Sequence, residues 1–322
     1  MAIYPLQFTP LYKYRMWGGE KLKTILNKVY TENNIGESWE ISAVENDETV
    51  VSNGSLQGKT IKELIKTLGT DFLGKAVFEK FGNDFPLLIK FIDAKTPLSI
   101  QVHPSDALAK ERHNSFGKNE MWYVMQAEEN AELIAGFDKK LTKQAYIETL
   151  ETGDILEVLH TEKVKSGDVF NIPTGRVHAI GAGVLLAEIQ QTSDITYRIY
   201  DYNRVDAKTG ETRELHTEQA VDAIDFKVHD SYKTNYTTPV NKANELVYTP
   251  YFKTNILKLE GDLTQDFSKT DSFVIVMCVE GDFELSYDNE KYVINTGSTI
   301  LLPAAIDQIQ LKGNAKILEV SL

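Results

Sequence analysis

The stretch GDVFNIPTGRVH, residues 167–178, decides how this chain is read. A glycine opens a short apolar segment, and Pro173 and Gly175 then make a tight turn that fixes where His178 emerges. A weaker copy lies downstream. GSTILLPAAIDQ (297–308) matches it at a shift of 130, with Gly167 on Gly297 and Pro173 on Pro303. Upstream of each copy sits a second matching pair. EMWYVMQAEENAEL (120–133) lies over SFVIVMCVEGDFEL (272–285) at a shift of 152, placing Met125 on Met277, Glu128 on Glu280 and Leu133 on Leu285. The shifts differ by 22, about the length of the helical stretch at 137–160. Two related β-units are therefore expected, the first with a helical insertion. In this alignment Glu120 falls on Ser272 and His178 on Gln308, so the first unit carries a polar site that the second has lost.

Around these segments the chain reads as short strands between Gly, Pro, Asn and Asp: FPLLIKFID, LSIQVH, GVLLAEIQQ, ITYRIYDY, FELSYD and KYVINTG. That spacing predicts a mainly β fold of two sandwich or barrel units, jelly-roll in type, with helical insertions in the first. Helical periodicity is confined to about 58–82, 104–114, 138–152 and 215–226, the last with Thr217 as N-cap. The polar, turn-rich segment 227–247 reads as a linker, dividing a catalytic, metal-binding unit at 1–236 from a metal-free unit at 237–322.

Composition narrows the function classes. The 322 residues hold 34 Lys+Arg against 47 Asp+Glu, a net charge of -13, which argues against a nucleic-acid partner. The single cysteine, Cys278, excludes an internal disulfide framework, fits a reducing compartment, and lies in an apolar strand as core. The longest apolar run, FVIVMCV at 273–279, is far below the 18 or so residues of a membrane span, and MAIYPLQFTP has no signal-peptide pattern. A cytoplasmic protein without a membrane partner is expected.

Four residues of the first unit suit a metal. Gln101 and His103 stand at i and i+2 on one strand, so both point to the same face. Glu120 opens a second strand and His178 ends the segment quoted above. Two imidazoles, a carboxylate and an amide oxygen suit zinc with open positions, and iron or manganese accept the same donors. His113, His160, His216 and His229 read as surface residues.

Residues 167–178 also meet the second motif of the cupin superfamily, G-x-x-x-x-x-P-x-G-x-x-H, without departure. The first cupin motif departs: its His-x-His is Gln101-Val-His103, and its acidic ligand is displaced to Glu120. PLSIQVHP, KNEMWY, IPTGRVHAI and QQTSDITYRIYDYNR, with MWGGEKL and GESWEIS nearer the N-terminus, resemble type I mannose-6-phosphate isomerases in their short bacterial form. The resemblance covers residue 5 to about 226, and more loosely the C-terminal part as a metal-free cupin unit. It implies one zinc ion per chain on Gln101, His103, Glu120 and His178, an active-site arginine at Arg198, a lysine at Lys118 and an acidic residue at Glu188. Substrate phosphate contacts would fall on Ser99 and Lys90, while those made by the helical domain of longer relatives have no counterpart.

The implied reaction interconverts mannose 6-phosphate and fructose 6-phosphate, moving a proton between neighbouring carbons through Glu188 or Lys118. The metal and Arg198 would offset the charge of an enediolate. An iron or manganese cupin oxidoreductase and a non-catalytic sugar-phosphate-binding cupin are the alternatives. The partner expected is a hexose 6-phosphate. A monomer is compatible with the sequence, which does not set the oligomeric state. Lys90, Lys118 and Arg198 beside a metal predict a basic pocket on an acidic surface.

Overall fold

Every residue of VLLAEIQQ (Val184–Gln191) and LLIKFIDA (Leu87–Ala94) is buried, as expected of central strands covered on both faces. Alternation divides each strand between two environments. Leu185, Ala187 and Ile189 join one apolar cluster with Leu87, Ile89, Phe91, Met121 and Tyr123. Val184, Leu186, Ile92, Ala94, Trp122 and Val124 face the other way, into a second cluster. Lys90 and Glu188 share that second face, so the polar residues of these strands point into the interior of the first unit.

The computed structural model describes residues 3–322. Its first unit is a sandwich of two antiparallel sheets. One runs in spatial order Val169–Ile172, Glu120–Ala127, Val184–Gln191, Leu87–Ala94, Leu11–Gly19, Ile35–Ile41. The facing sheet runs Leu159–Lys163, Glu132–Phe137, His178–Ile180, Ile100–Val102, Tyr197–Tyr200. The second unit is built on an eight-stranded sheet in which Lys253–Asp266, Gln308–Ser321, Val274–Tyr287 and Thr299–Leu302 are successive neighbours. The N-terminal strand Leu6–Thr9 pairs with Thr299–Leu302, so the start of the chain belongs to this sheet. Leu6, Ile275, Met277, Leu318 and Val320 then pack in one cluster with Ile89 and Phe91, joining the units through a shared core.

The internal repeat is present in the sheet order. Leu87–Ala94, Val184–Gln191, Glu120–Ala127, Val169–Ile172 in the first unit match Lys253–Asp266, Gln308–Ser321, Val274–Tyr287, Thr299–Leu302 in the second. The turn is repeated to the hydrogen bond: Gly167 N donates to the Val124 carbonyl at 2.8 Å, and Gly297 N to that of Cys278 at 2.8 Å. One alignment changes. Val124 corresponds to Cys278 rather than Val276, so Glu120 stands on Val274, not Ser272. Sliding a strand by two residues returns each side chain to the same face, so apolar pattern alone does not separate the two registers. With this register Trp122 stands on Val276, and the partner of Val276 across the ladder is Glu319, where the partner of Trp122 is Glu188. The second unit has lost its counterparts of Glu120 and His178 but keeps a buried carboxylate in the place of Glu188.

Most helices fall in the expected stretches: Ile61–Leu68, Thr70–Leu73 and Lys75–Phe81, then Asp106–His113, Lys143–Thr152 and Thr217–Ala223; one short helix, Lys21–Thr24, lies outside them. The first is held by a full capping box, Thr60 with Glu63. The last begins at Thr217, with His216 rather than Thr217 at the N-cap. Lys143–Thr152 fills the connection that in the second unit is the tight turn at Asp288 and Asn289. Among the described residues no helix is long and apolar enough to cross a membrane.

Candidate active site

Two rungs of side chains, one from each sheet of the first unit, face a cavity of about 420 Å³. The six-stranded sheet supplies Trp122, Glu188, Lys90 and Trp39, successive partners across four strands. The five-stranded sheet supplies His178, Gln101 and Arg198, partners across three. This is why residues so distant in sequence meet: antiparallel register lines them up, and strand parity turns them inward.

At the buried end, His103, Glu120 and His178 bring ligand atoms within 4.8 Å of one another. His103 Nε2 is 3.2 Å from Glu120 Oε1, and His178 Nε2 is 3.9 Å from Glu120 Oε2. Each imidazole uses its Nδ1 on a backbone carbonyl, His103 on Ile195 at 2.9 Å and His178 on Arg176 at 2.8 Å. Donation from Nδ1 leaves both Nε2 atoms as lone-pair donors, the tautomer a metal requires. Glu120 Oε2 is buried without a hydrogen-bond partner, a vacant acceptor that a cation would satisfy. The residues therefore fit a divalent metal. Gln101 lies against His178, its Nε2 at 3.3 Å from His178 Nε2.

Lys118 binds both His103 Nε2, at 3.1 Å, and Glu120 Oε1. Burial opposes ionisation of Glu120, but Lys118 and His103 outweigh it and hold the carboxyl well below its usual range. Burial lowers His103, helped by Lys118, and burial with His103 pushes His178 down to about 3. Both imidazoles are neutral at pH 7.

Along the cavity wall, Glu188 accepts from Trp122 Nε1 at 2.9 Å and from Lys90 Nζ at 3.0 Å. Burial and the negative charge of Glu120 raise Glu188 in spite of Lys90. For Lys90, burial is outweighed by Glu188 and Glu37, and the ammonium is raised. Glu37 receives Trp39 Nε1 at 2.7 Å and both Nε and Nη2 of Arg15, at 3.1 and 2.9 Å. Arg15 and Lys90 overcome the burial of Glu37 and hold it down to about 2. Ser99 lines the same cavity, near Gln101.

Arg198 stands at the cavity mouth. Its Nη1 donates to the Glu214 carbonyl at 2.7 Å, its Nε is buried without a partner, and burial with the nearby charge of Arg213 lowers it. All the sequence-derived candidates, Ser99, Gln101, Lys90, Lys118, Glu188, Arg198 and His178, thus line one cavity, with His103 and Glu120 at its closed end.

The electrostatics are more balanced than the sequence suggested. Arg15, Lys90, Lys118, Arg198 and Arg213 face Glu37, Glu188, Asp194 and Asp206, and a bound divalent ion would supply the excess positive charge. The expectation for isolated histidines also changes. His113 and His229 are exposed, but His160 and His216 are half-buried; His160 bridges Asp138 and Glu162, and His216 Nδ1 accepts the backbone N–H of Arg198. Asp201 and Arg204 form more than a simple pair, because Arg213 binds the same carboxylate. Sequence reasoning missed Arg15, Glu37, Trp39 and Arg213. Only Glu37 and Trp39 left a local signal, an i, i+2 spacing that places both on one face of a strand.

A buried His-Glu-His group inside one of two repeated β-units defines a cupin with, among the described residues, a single metal-competent site. The family comparisons agree with that class. Residues 6–139 match the model for "Phosphomannose isomerase type I, catalytic domain", and residues 242–322 that for "Mannose-6-phosphate isomerase, cupin domain". The mannose-6-phosphate isomerase ManA of Bacillus subtilis is 35% identical over 323 residues, 98% of each chain, and that of Streptococcus mutans is 34% identical over 94% of each. A crystal structure of the mannose 6-phosphate isomerase from Bacillus subtilis superposes with a TM-score of 0.90 at 33% identity, covering 99% of both chains. The chain belongs to the type I mannose-6-phosphate isomerase family, a family of enzymes.

Proposed function

We propose that this protein interconverts mannose 6-phosphate and fructose 6-phosphate with one zinc ion held by His103, Glu120, His178 and the Gln101 amide. The observation that carries the reading is the convergence of that buried group with Glu188, Lys118 and Arg198 on one cavity, in a chain of this family. When bound, the metal would act as a Lewis acid on neighbouring carbonyl and hydroxyl oxygens, and two imidazoles with a carboxylate favour zinc with open positions.

The remaining work falls to the chain. Aldose–ketose isomerisation removes a proton from one carbon beside a carbonyl and returns it to the next. Glu188 is the group we assign to that transfer: its raised carboxyl lies closer to neutral pH than a solvated one, and Lys90 and Trp122 fix both oxygens. Lys118, which lines the cavity while held between His103 and Glu120, would exchange a proton with the oxygen atoms. Arg198 would offset developing negative charge with its planar donors, and Ser99 and Lys90 would contact substrate oxygens. Trp39 and Trp122 form apolar walls that limit water.

We further infer a cytoplasmic enzyme, in keeping with its single buried cysteine, with a boundary near residue 236 between the site-bearing unit and the second, whose sheet also takes in the N-terminal strand Leu6–Thr9. The test is direct: purified protein with zinc is given mannose 6-phosphate, and fructose 6-phosphate formation is followed. Absence of turnover in zinc-loaded, folded protein refutes the reading.

A further inference from the structure

Directly before Glu120, a buried pair of amide side chains links the segments that carry the metal group. Asn119 and Gln191 are 6% and 7% exposed. Gln191 Oε1 accepts twice from Asn119, from Nδ2 at 2.6 Å and from the backbone N at 3.0 Å. The Gln191 backbone N donates to the Asn119 carbonyl at 3.1 Å, extending the strand ladder one residue past Glu120 and Gln190. Gln191 Nε2 donates in turn to Asp106 Oδ1 at 3.2 Å, and the same oxygen receives Gly117 N at 2.8 Å. Asp106 opens the helix Asp106–His113, three residues after His103.

The other end of Asn119 reaches the turn that presents His178. Thr174 N donates to Asn119 Oδ1 at 3.1 Å, and the next amide, Gly175 N, donates to the His103 carbonyl at 3.0 Å. Two successive N–H groups of one turn are thus tied, one to the neighbour of Glu120 and the other to His103 itself. His178 follows Thr174 by four residues. The spacing of all three ligands therefore rests on one amide network. Amide side chains suit that work, because each offers an acceptor and donors in a fixed plane. Neither Asn119 nor Gln191 lines the cavity, so any effect they have on it passes through the metal group.

Resting on the metal-dependent reading above, we propose that Asn119 and Gln191 are positioning residues that preset the spacing of His103, Glu120 and His178 and so raise the chain's affinity for a divalent metal. Ligands already held in place lose less conformational freedom when the ion binds. Groups that hold metal ligands from behind contribute about 10- to 100-fold in affinity.

The test measures zinc affinity of the full chain by competition with a chelating dye, well below the melting temperature and without reference to turnover. Asn119→Leu loses the bonds to Thr174 and Gln191, and Gln191→Leu leaves Asn119 unanchored. Each should raise the zinc dissociation constant about 10- to 100-fold. Because both act through one network, the double variant should bind about as weakly as the weaker single variant, not by the product of the two losses. Thr60→Ala, destabilised at the cap of Ile61–Leu68, is the control and should bind zinc as the wild type does. A lower melting temperature with zinc affinity within about threefold of wild type marks a merely structural network and overturns the proposal. A multiplicative loss in the double variant overturns it too. Should Asn119→Leu not fold, Gln191→Leu decides by the same measure. A wild type that binds no zinc overturns the metal reading and this proposal together, whereas undiminished affinity in the variants overturns the proposal alone.

Discussion

Replacing Lys90 with methionine removes one cation from a wall that is closed to water. Lys90 and Glu188 have side-chain exposures of 7% and 4%, with Nζ and Oε2 at 3.0 Å. Without the ammonium, Glu188 keeps only the indole N–H of Trp122 and still faces the negative field of Glu120. Glu37 loses a second cation but retains the two-bonded Arg15. Breaking one side of a buried pair costs about 3–5 kcal/mol, because the other charge is left uncompensated. For a chain of this size each kcal/mol moves the melting temperature by about 2 °C, so Lys90→Met should melt about 6–10 °C below wild type. Adding Glu188→Gln removes the stranded charge, and the double variant should recover more than half of the loss while remaining inactive. Thermal unfolding followed by circular dichroism at pH 7 measures all three. A Lys90→Met protein that melts within 2 °C of wild type, or a double variant no more stable than the single, refutes the claim that this pair is desolvated and coupled.

Other consequences are simpler to check. Burial alone raises Glu319 to about 7, so the folded protein holds a proton that the unfolded chain, near 4.5, releases. Its stability contribution is full below about pH 4.5 and is lost as pH rises to about 7, a change of about 3 kcal/mol. Glu319→Gln should therefore raise the melting temperature at pH 8 and leave it unchanged near pH 4.5; equal effects at both pH values would contradict the assignment. Thr60→Ala removes the capping box of Ile61–Leu68 and should cost about 1 kcal/mol in thermal unfolding, without altering KM. Gly136 has φ +76°, and a Cβ there would lie 2.3 Å from the Tyr232 hydroxyl, which itself bonds Phe137. Gly136→Ala should lower stability by about 2 kcal/mol or more, and a neutral melt would show that Tyr232 moves freely.

The repeat and the metal group were legible because both depend on short spacings. The Gly-Pro-Gly-His turn placed His178, and the i, i+2 spacing of Gln101 and His103 brought both to the site although His103 lies one residue past the strand Ile100–Val102. The register of the repeat was not legible, since a two-residue slip preserves every inward and outward position. That slip hid the correspondence of Glu319 with Glu188, which emerges only from the ladder partners Val276 and Trp122. Arg15 and Arg213 were invisible for another reason. Each reaches the cavity through tertiary return of a strand or loop, and a lone arginine carries no local mark of where it will be folded.

Nothing tests the central claim more directly than metal content and turnover measured together in wild type and His178→Ala. The account predicts about one zinc per wild-type chain, conversion of mannose 6-phosphate to fructose 6-phosphate, and loss of both in the variant while the fold persists. Wild-type isomerisation that survives complete removal of metal, or undiminished turnover in His178→Ala, would contradict it.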